Sequence, residues 1–233
     1  MSGMFSILSL VIEVGLLMVS AMVHEVSHGF VAHLCGDDTA KERGRLSLNP
    51  ARHLDPVGSI ALPLLMAMAG GAVFAYAKPV PYNPLRLRNP RRDEVLVALA
   101  GPASNLLQAL VGAALFRGLQ VLVDQNPVLY LAGPEVFGYP VLGLLSFVLS
   151  TYVLVNLMLM FFNLIPLPPL DGSKVVCLFL TGEALRRYHQ AQAYAMPILI
   201  AALYLVPSLL HVNPVGAYLQ ATAFGLYGLL LGA

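Results

Sequence analysis

The chain has 233 residues, 58% of them hydrophobic and only 11% charged, against about 25% charged in a soluble domain. That composition excludes a water-soluble globule and points to an all-α protein that crosses a bilayer several times. A net charge of +1 offers no basic face for nucleic acid, and Cys35 and Cys177 lack CxxC spacing, so both read as inert thiols.

In chain order, apolar stretches run over Met4–Cys35, Val57–Ala77, Glu94–Val123, Val141–Ile165, Ala191–Pro207 and Val215–Leu231. A crossing helix needs about 20 residues, and five of the six stretches are adequate for one. Val57–Ala77 differs, because Pro63 and the pair Gly70–Gly71 are poor in a helix interior. The loops on either side of it, Gly36–Pro56 and Lys78–Asp93, are both rich in Lys and Arg, whereas Asp124–Pro140 and Ser208–Pro214 hold none. If basic loops stay inside, Val57–Ala77 enters and returns on one side as a re-entrant element. The alternative is a sixth spanning helix. The expected architecture is a multi-pass membrane helix bundle of five spans plus this segment, forming a single domain over residues 1–233 in the cell membrane.

The first apolar stretch ends on an unusual group, His24-Glu25-Val26-Ser27-His28. A charge at the centre of a membrane helix costs about 2.5–3.5 kcal/mol on insertion scales, so these polar side chains call for a role. On a helix, positions i and i+4 lie about 40° apart, so both imidazoles of H-E-x-x-H can reach one Zn²⁺. Glu25 stands beside such a metal, where it is better placed to take a proton from water than to act as a ligand. A third ligand is needed to complete a hydrolytic site. Glu13 lies on the same helical face but about 16 Å away, too far to share the metal, and is expected to hydrogen-bond a neighbouring helix or, alternatively, to line the path of water and substrate to the metal. Asp171 is the better candidate. It follows a span, after Pro166, Pro168 and Pro169, whose rings break the helix and let the carboxylate curl back into the bundle. An inward-running span brings it to the face where the first helix leaves the histidines, expected to be cytoplasmic.

HEVSH together with NLIPLPPLDG, residues 163–172, resembles the site-2 protease family of intramembrane zinc metalloproteases, in its minimal bacterial type without a PDZ or CBS domain. The stretches from Gly36 to Ile60 and from Tyr76 to Leu106 share the likeness. The resemblance implies that His24, His28 and Asp171 bind zinc, that Glu25 activates the water, and that Asn163 holds substrate or the oxyanion. It implies one Zn²⁺ per chain and a substrate with a transmembrane segment. A zinc-dependent membrane transporter and a non-catalytic zinc-stabilised scaffold are the alternatives, and Glu25→Gln separates enzyme from scaffold. Of the other polar residues in the spans, Asn156 reads as interhelical glue and Asn105, in the small-residue run GPASN, as packing, with a substrate-facing role as the alternative. His33 faces away from His24 and has a structural role. His53 has none that the sequence assigns.

Overall fold

A computed structural model describes residues 2–53, 55, 65, 78–128, 133–136, 139–191 and 194–232. Val57–Ala77, on which the re-entrant expectation rests, falls outside the described residues apart from Leu65. Helix α1 covers Ser2–Leu34, a short α2 Thr39–Glu42, and α3 Pro90–Gln125. The two-residue strands β1 (Glu135–Val136) and β2 (Tyr139–Pro140) pair antiparallel ahead of α4 (Val141–Asn163). After it come α5 (Gly172–Phe179), α6 (Gly182–Ala191), α7 (Pro197–Leu210) and α8 (Pro214–Leu231).

Four helices among the described residues are long and apolar enough to cross a membrane: α1 over Ile7–Leu34, α3, α4 and α8. Within the stretch Ala191–Pro207, expected to span, the described residues form the shorter apolar helix α7, which winds as a π-helix over Ala201–Leu205 just before Pro207. Pro207 has no N–H to give to the turn before it, and a single wide turn absorbs the missing bond.

Two contacts fix the direction of α8. Near its start, the Tyr218 hydroxyl donates to the Phe161 carbonyl, at the end of α4. Near its finish, Arg117, far along α3, donates to the Leu229 and Leu230 carbonyls. Helix α8 therefore runs antiparallel to α4 and starts at the end of the bundle where α4 stops. The chain leaves α4 and enters α8 at one face, and α5, α6 and α7 lie between them in sequence.

Small residues draw the spans together. Ala109 and Ala113 of α3 pack with Val153 and Leu157 of α4 and with Leu219, Ala223 and Leu231 of α8. A Cβ on Gly112 would stand 3.0 Å from both Tyr152 and Val153. Close backbone approach of this kind is how helices associate where no hydrophobic force acts between them. A second cluster, Ala32, Leu87 and Val97, joins the end of α1 to the start of α3. The bundle thus holds α1, α3 and α4 side by side at the level of the histidine pair.

Candidate metal centre

His24 and His28 lie in the last third of α1 and are both buried. Each ring is held at its Nδ1. His24 Nδ1 meets the Asn105 carboxamide oxygen at 2.5 Å, and His28 Nδ1 meets the Val97 carbonyl at 2.6 Å. A carbonyl oxygen only accepts, so both Nδ1 atoms carry their proton. In the neutral rings the lone pairs are then on Nε2, and the two Nε2 atoms face each other 3.0 Å apart. Two lone pairs at that separation repel unless a cation lies between or beside them.

The partners are themselves anchored. Asn105 Nδ2 donates to Asn156 Oδ1 at 2.8 Å, and Asn156 Nδ2 donates to Ser20 Oγ and to the Tyr152 carbonyl. Ser20, Asn105 and Asn156 are all fully buried, and the chain of bonds returns to α1 one turn before His24. It therefore locks the His24 ring through all three helices. Pro102 has no N–H for the Ala98 carbonyl, which loosens the ladder in the turn of α3 that offers Val97 to His28. Gly101 supplies the space, since a Cβ there would stand 2.5 Å from His24 Nε2 and from His28 Nε2.

Asp171 reaches the histidines from beyond the end of α4. Past Asn163 the chain turns tightly through Pro166–Pro169, and Gly172 lies so close to α4 that a Cβ would collide with the Leu164 carbonyl. This return sets Asp171 Oδ2 at 3.2 Å from His24 Nε2 and 3.4 Å from His28 Nε2. Asp171 is outside the spans. Burial pushes its carboxyl pKa up, but the two imidazoles that face it, His24 and His28, outweigh that and hold it below the usual value. Helix α5, which begins beside it, is pinned to α3 by Lys174 on Glu94 at 2.7 Å and by Arg91 on the Leu178 and Leu180 carbonyls.

A carboxylate oxygen of Glu25 lies within 4.8 Å of both imidazole donors, and its Oε2 accepts the Val80 N–H at 2.8 Å. Asn163 makes no hydrogen bond to these four residues. Its amide donates to the Leu159 carbonyl, one turn back on α4. Glu13 departs from expectation, because its side chain is exposed on α1. A shared azimuth does not by itself bury a residue at every height of the face. His33 is structural, paired with Asp38.

The donor set suits zinc. Two imidazole nitrogens and one carboxylate oxygen converge on one point, and both rings are oriented from behind, the usual arrangement of a zinc ligand and its outer hydrogen bond. A model of peptidase family M50 matches residues 13–206. The chain belongs to peptidase family M50, the site-2 protease family. It is 38% identical over 202 residues to "Putative zinc metalloprotease YwhC" of Bacillus subtilis (strain 168), covering 87% of this chain and 80% of that one. It is 29% identical to "Putative zinc metalloprotease Rip2" of Mycolicibacterium smegmatis and 31% identical to that of Mycobacterium tuberculosis (strain ATCC 25618 / H37Rv), each over 82% of this chain and 66% of the relative. No solved structure matches the chain. Family and relatives make it a zinc metalloprotease, and its apolar helices make it a membrane protein. Asn105 and the Val97 carbonyl are the site groups that sequence reasoning misses. The signal for Asn105 is a lone amide in an apolar helix, which by itself also fits packing.

Proposed function

We propose that this M50 peptidase is a single membrane-embedded domain, residues 1–233, that hydrolyses a peptide bond in or near a transmembrane segment of a membrane protein. One Zn²⁺ per chain is held by His24, His28 and Asp171. The site works near the cytoplasmic face of the cell membrane. The observation that carries the reading is the convergence of two Nε2 lone pairs and Asp171 Oδ2 among three apolar helices, with each Nδ1 committed elsewhere.

Zinc, when bound, supplies Lewis-acid polarisation of the scissile carbonyl. Glu25 takes a proton from the attacking water as its oxygen bonds to the carbonyl carbon, then returns it to the departing amine as the C–N bond breaks. Asn105 and the Val97 carbonyl keep the two imidazoles in one tautomer and one orientation throughout. A carboxamide has two N–H groups, and Asn163 has one committed to Leu159, so the other is available to a substrate carbonyl or to the oxyanion. A helical substrate hides its carbonyls in its own hydrogen bonds and must unwind to present one.

Glu25→Gln tests the reading. The variant is expected to keep its zinc and lose cleavage of a model transmembrane substrate in proteoliposomes. Unchanged cleavage would remove Glu25 from the mechanism, whereas absence of cleavage in the wild type as well would leave a scaffold in place of an enzyme.

A further inference from the structure

The carboxylate of Glu25 is tethered by a stretch of chain far away in sequence. Val80, whose N–H it accepts at 2.8 Å, sits between Pro79 and Pro81. Neither proline has an N–H, and each biases the residue before it towards extended backbone. The stretch therefore presents one main-chain donor, and Glu25 takes it. Gly29, one turn after Glu25, allows the approach. A Cβ there would meet Val80 Cγ1 at 2.6 Å and Leu46 Cδ2 at 2.9 Å.

Something must hold Val80 in place, and that residue is Arg45. Its Nη1 donates to the Arg52 carbonyl at 2.5 Å, and its Nη2 donates to the Lys78 carbonyl at 2.6 Å and the Pro79 carbonyl at 3.2 Å. The Lys78 N–H donates in turn to the His53 carbonyl at 2.9 Å. One planar guanidinium thus stitches residue 52 to residues 78 and 79, immediately before Val80, beside the backbone bond between Lys78 and His53. A lysine has no such fork.

We propose that Arg45 is a positioning residue for the catalytic base. It clamps the Lys78 and Pro79 carbonyls, aims the Val80 N–H at Glu25, and so fixes the rotation of the carboxylate. With one oxygen held, the direction of the other relative to His24 and His28 is set. The inference rests on the preceding reading of Glu25 as the base. Proton transfer requires heavy atoms within about 2.6–3.2 Å, and an error of about 1 Å in position costs up to roughly 100-fold in rate.

The test uses the full-length, zinc-loaded protein in proteoliposomes with a model transmembrane substrate. Arg45→Ala and Arg45→Lys should each lower kcat roughly 10- to 100-fold, with KM, zinc content and melting temperature at wild-type values. Glu25→Asp retains a base but shortens the side chain so that it no longer reaches Val80. In that background Arg45→Ala should cause no further loss of kcat. Wild-type kcat in Arg45→Ala would overturn the proposal, as would loss of zinc or of cooperative melting, or a full additive loss beside Glu25→Asp. Retained cleavage in Glu25→Gln is a separate result, which fails the reading of the base itself.

Discussion

His24 donates its Nδ1 proton to the Asn105 carboxamide oxygen, across the interface between α1 and α3, at 2.5 Å. Asn105 is fully buried and is itself aimed by Asn156, so the His24 ring has one available orientation. Groups that orient a metal-binding histidine typically contribute 10- to 100-fold in affinity. Asn105→Leu, close in volume but unable to accept, should weaken zinc binding by roughly that factor while the helices stay assembled. Competition with a chelator of known affinity measures it. Unaltered zinc affinity would reduce Asn105 to packing.

Gly101 makes a sharper case, because adding one methyl group should act on the metal and not on the helix. Alanine is favoured over glycine in a helix by about 1 kcal/mol, so Gly101→Ala ought to leave α3 intact or firmer. Its Cβ, however, would lie 2.5 Å from both Nε2 atoms, and the rings cannot swing away while Asn105 and Val97 hold them. Zinc content per folded chain should fall to near zero, and the clash with the held rings should also lower the melting temperature of the metal-free protein although α3 itself stays helical. Full zinc occupancy would mean that the rings do move.

Much of this site is legible in the sequence, and the reasons differ by residue. The i, i+4 spacing of His24 and His28 puts them on a common face through helix geometry alone. Asp171 follows from the three prolines after a span, which force a turn where a bundle would otherwise continue. Asn105 reads as packing because an isolated amide does not reveal its azimuth relative to a helix 81 residues away. Its partner Asn156 reads as interhelical glue, and it does bridge α3 to α1 through Asn105 and Ser20. Periodicity places Glu13 on the interior, but periodicity does not say how far along a face the neighbours extend. The count of spans is least legible. Hydropathy marks Ala191–Pro207 as long enough to cross, whereas Tyr218 on Phe161 and Arg117 on Leu230 are tertiary contacts that no local pattern encodes.

Asp171 should be the ligand whose loss is most selective. Its Oδ2 is buried and has no hydrogen-bond partner, yet it faces the two imidazole Nε2 atoms at 3.2 and 3.4 Å. Asp171→Ala is therefore expected to abolish stable zinc binding and cleavage together. Lys174 on Glu94 and Arg91 on the end of α5 do not depend on Asp171, so α5 should stay docked. Metal analysis of the purified variant checks this, and full zinc retention would remove Asp171 from the ligand set.

A last expectation concerns acid stability at the mouth of the bundle. Asp37 is fully buried just past α1. It accepts the Thr39 N–H and hydroxyl on Oδ1 and the Asn83 N–H on Oδ2, joining the turn after α1 to the loop that leads into α3. Burial pushes its pKa up, but these hydrogen bonds and the nearby Arg86 charge outweigh burial and hold it below the ordinary 3.8. A depressed folded value means that the stabilisation is complete above 3.8 and is lost as pH falls through the folded pKa. Hydrogen bonds to a charged group contribute about 1.5–3 kcal/mol. Asp37→Asn should thus melt several degrees below wild type at neutral pH, and the gap should close as the pH drops under 3.8. Thermal melts of both proteins across that range decide it, since a gap of constant size down to the lowest pH would show that shape, and not charge, holds the turn.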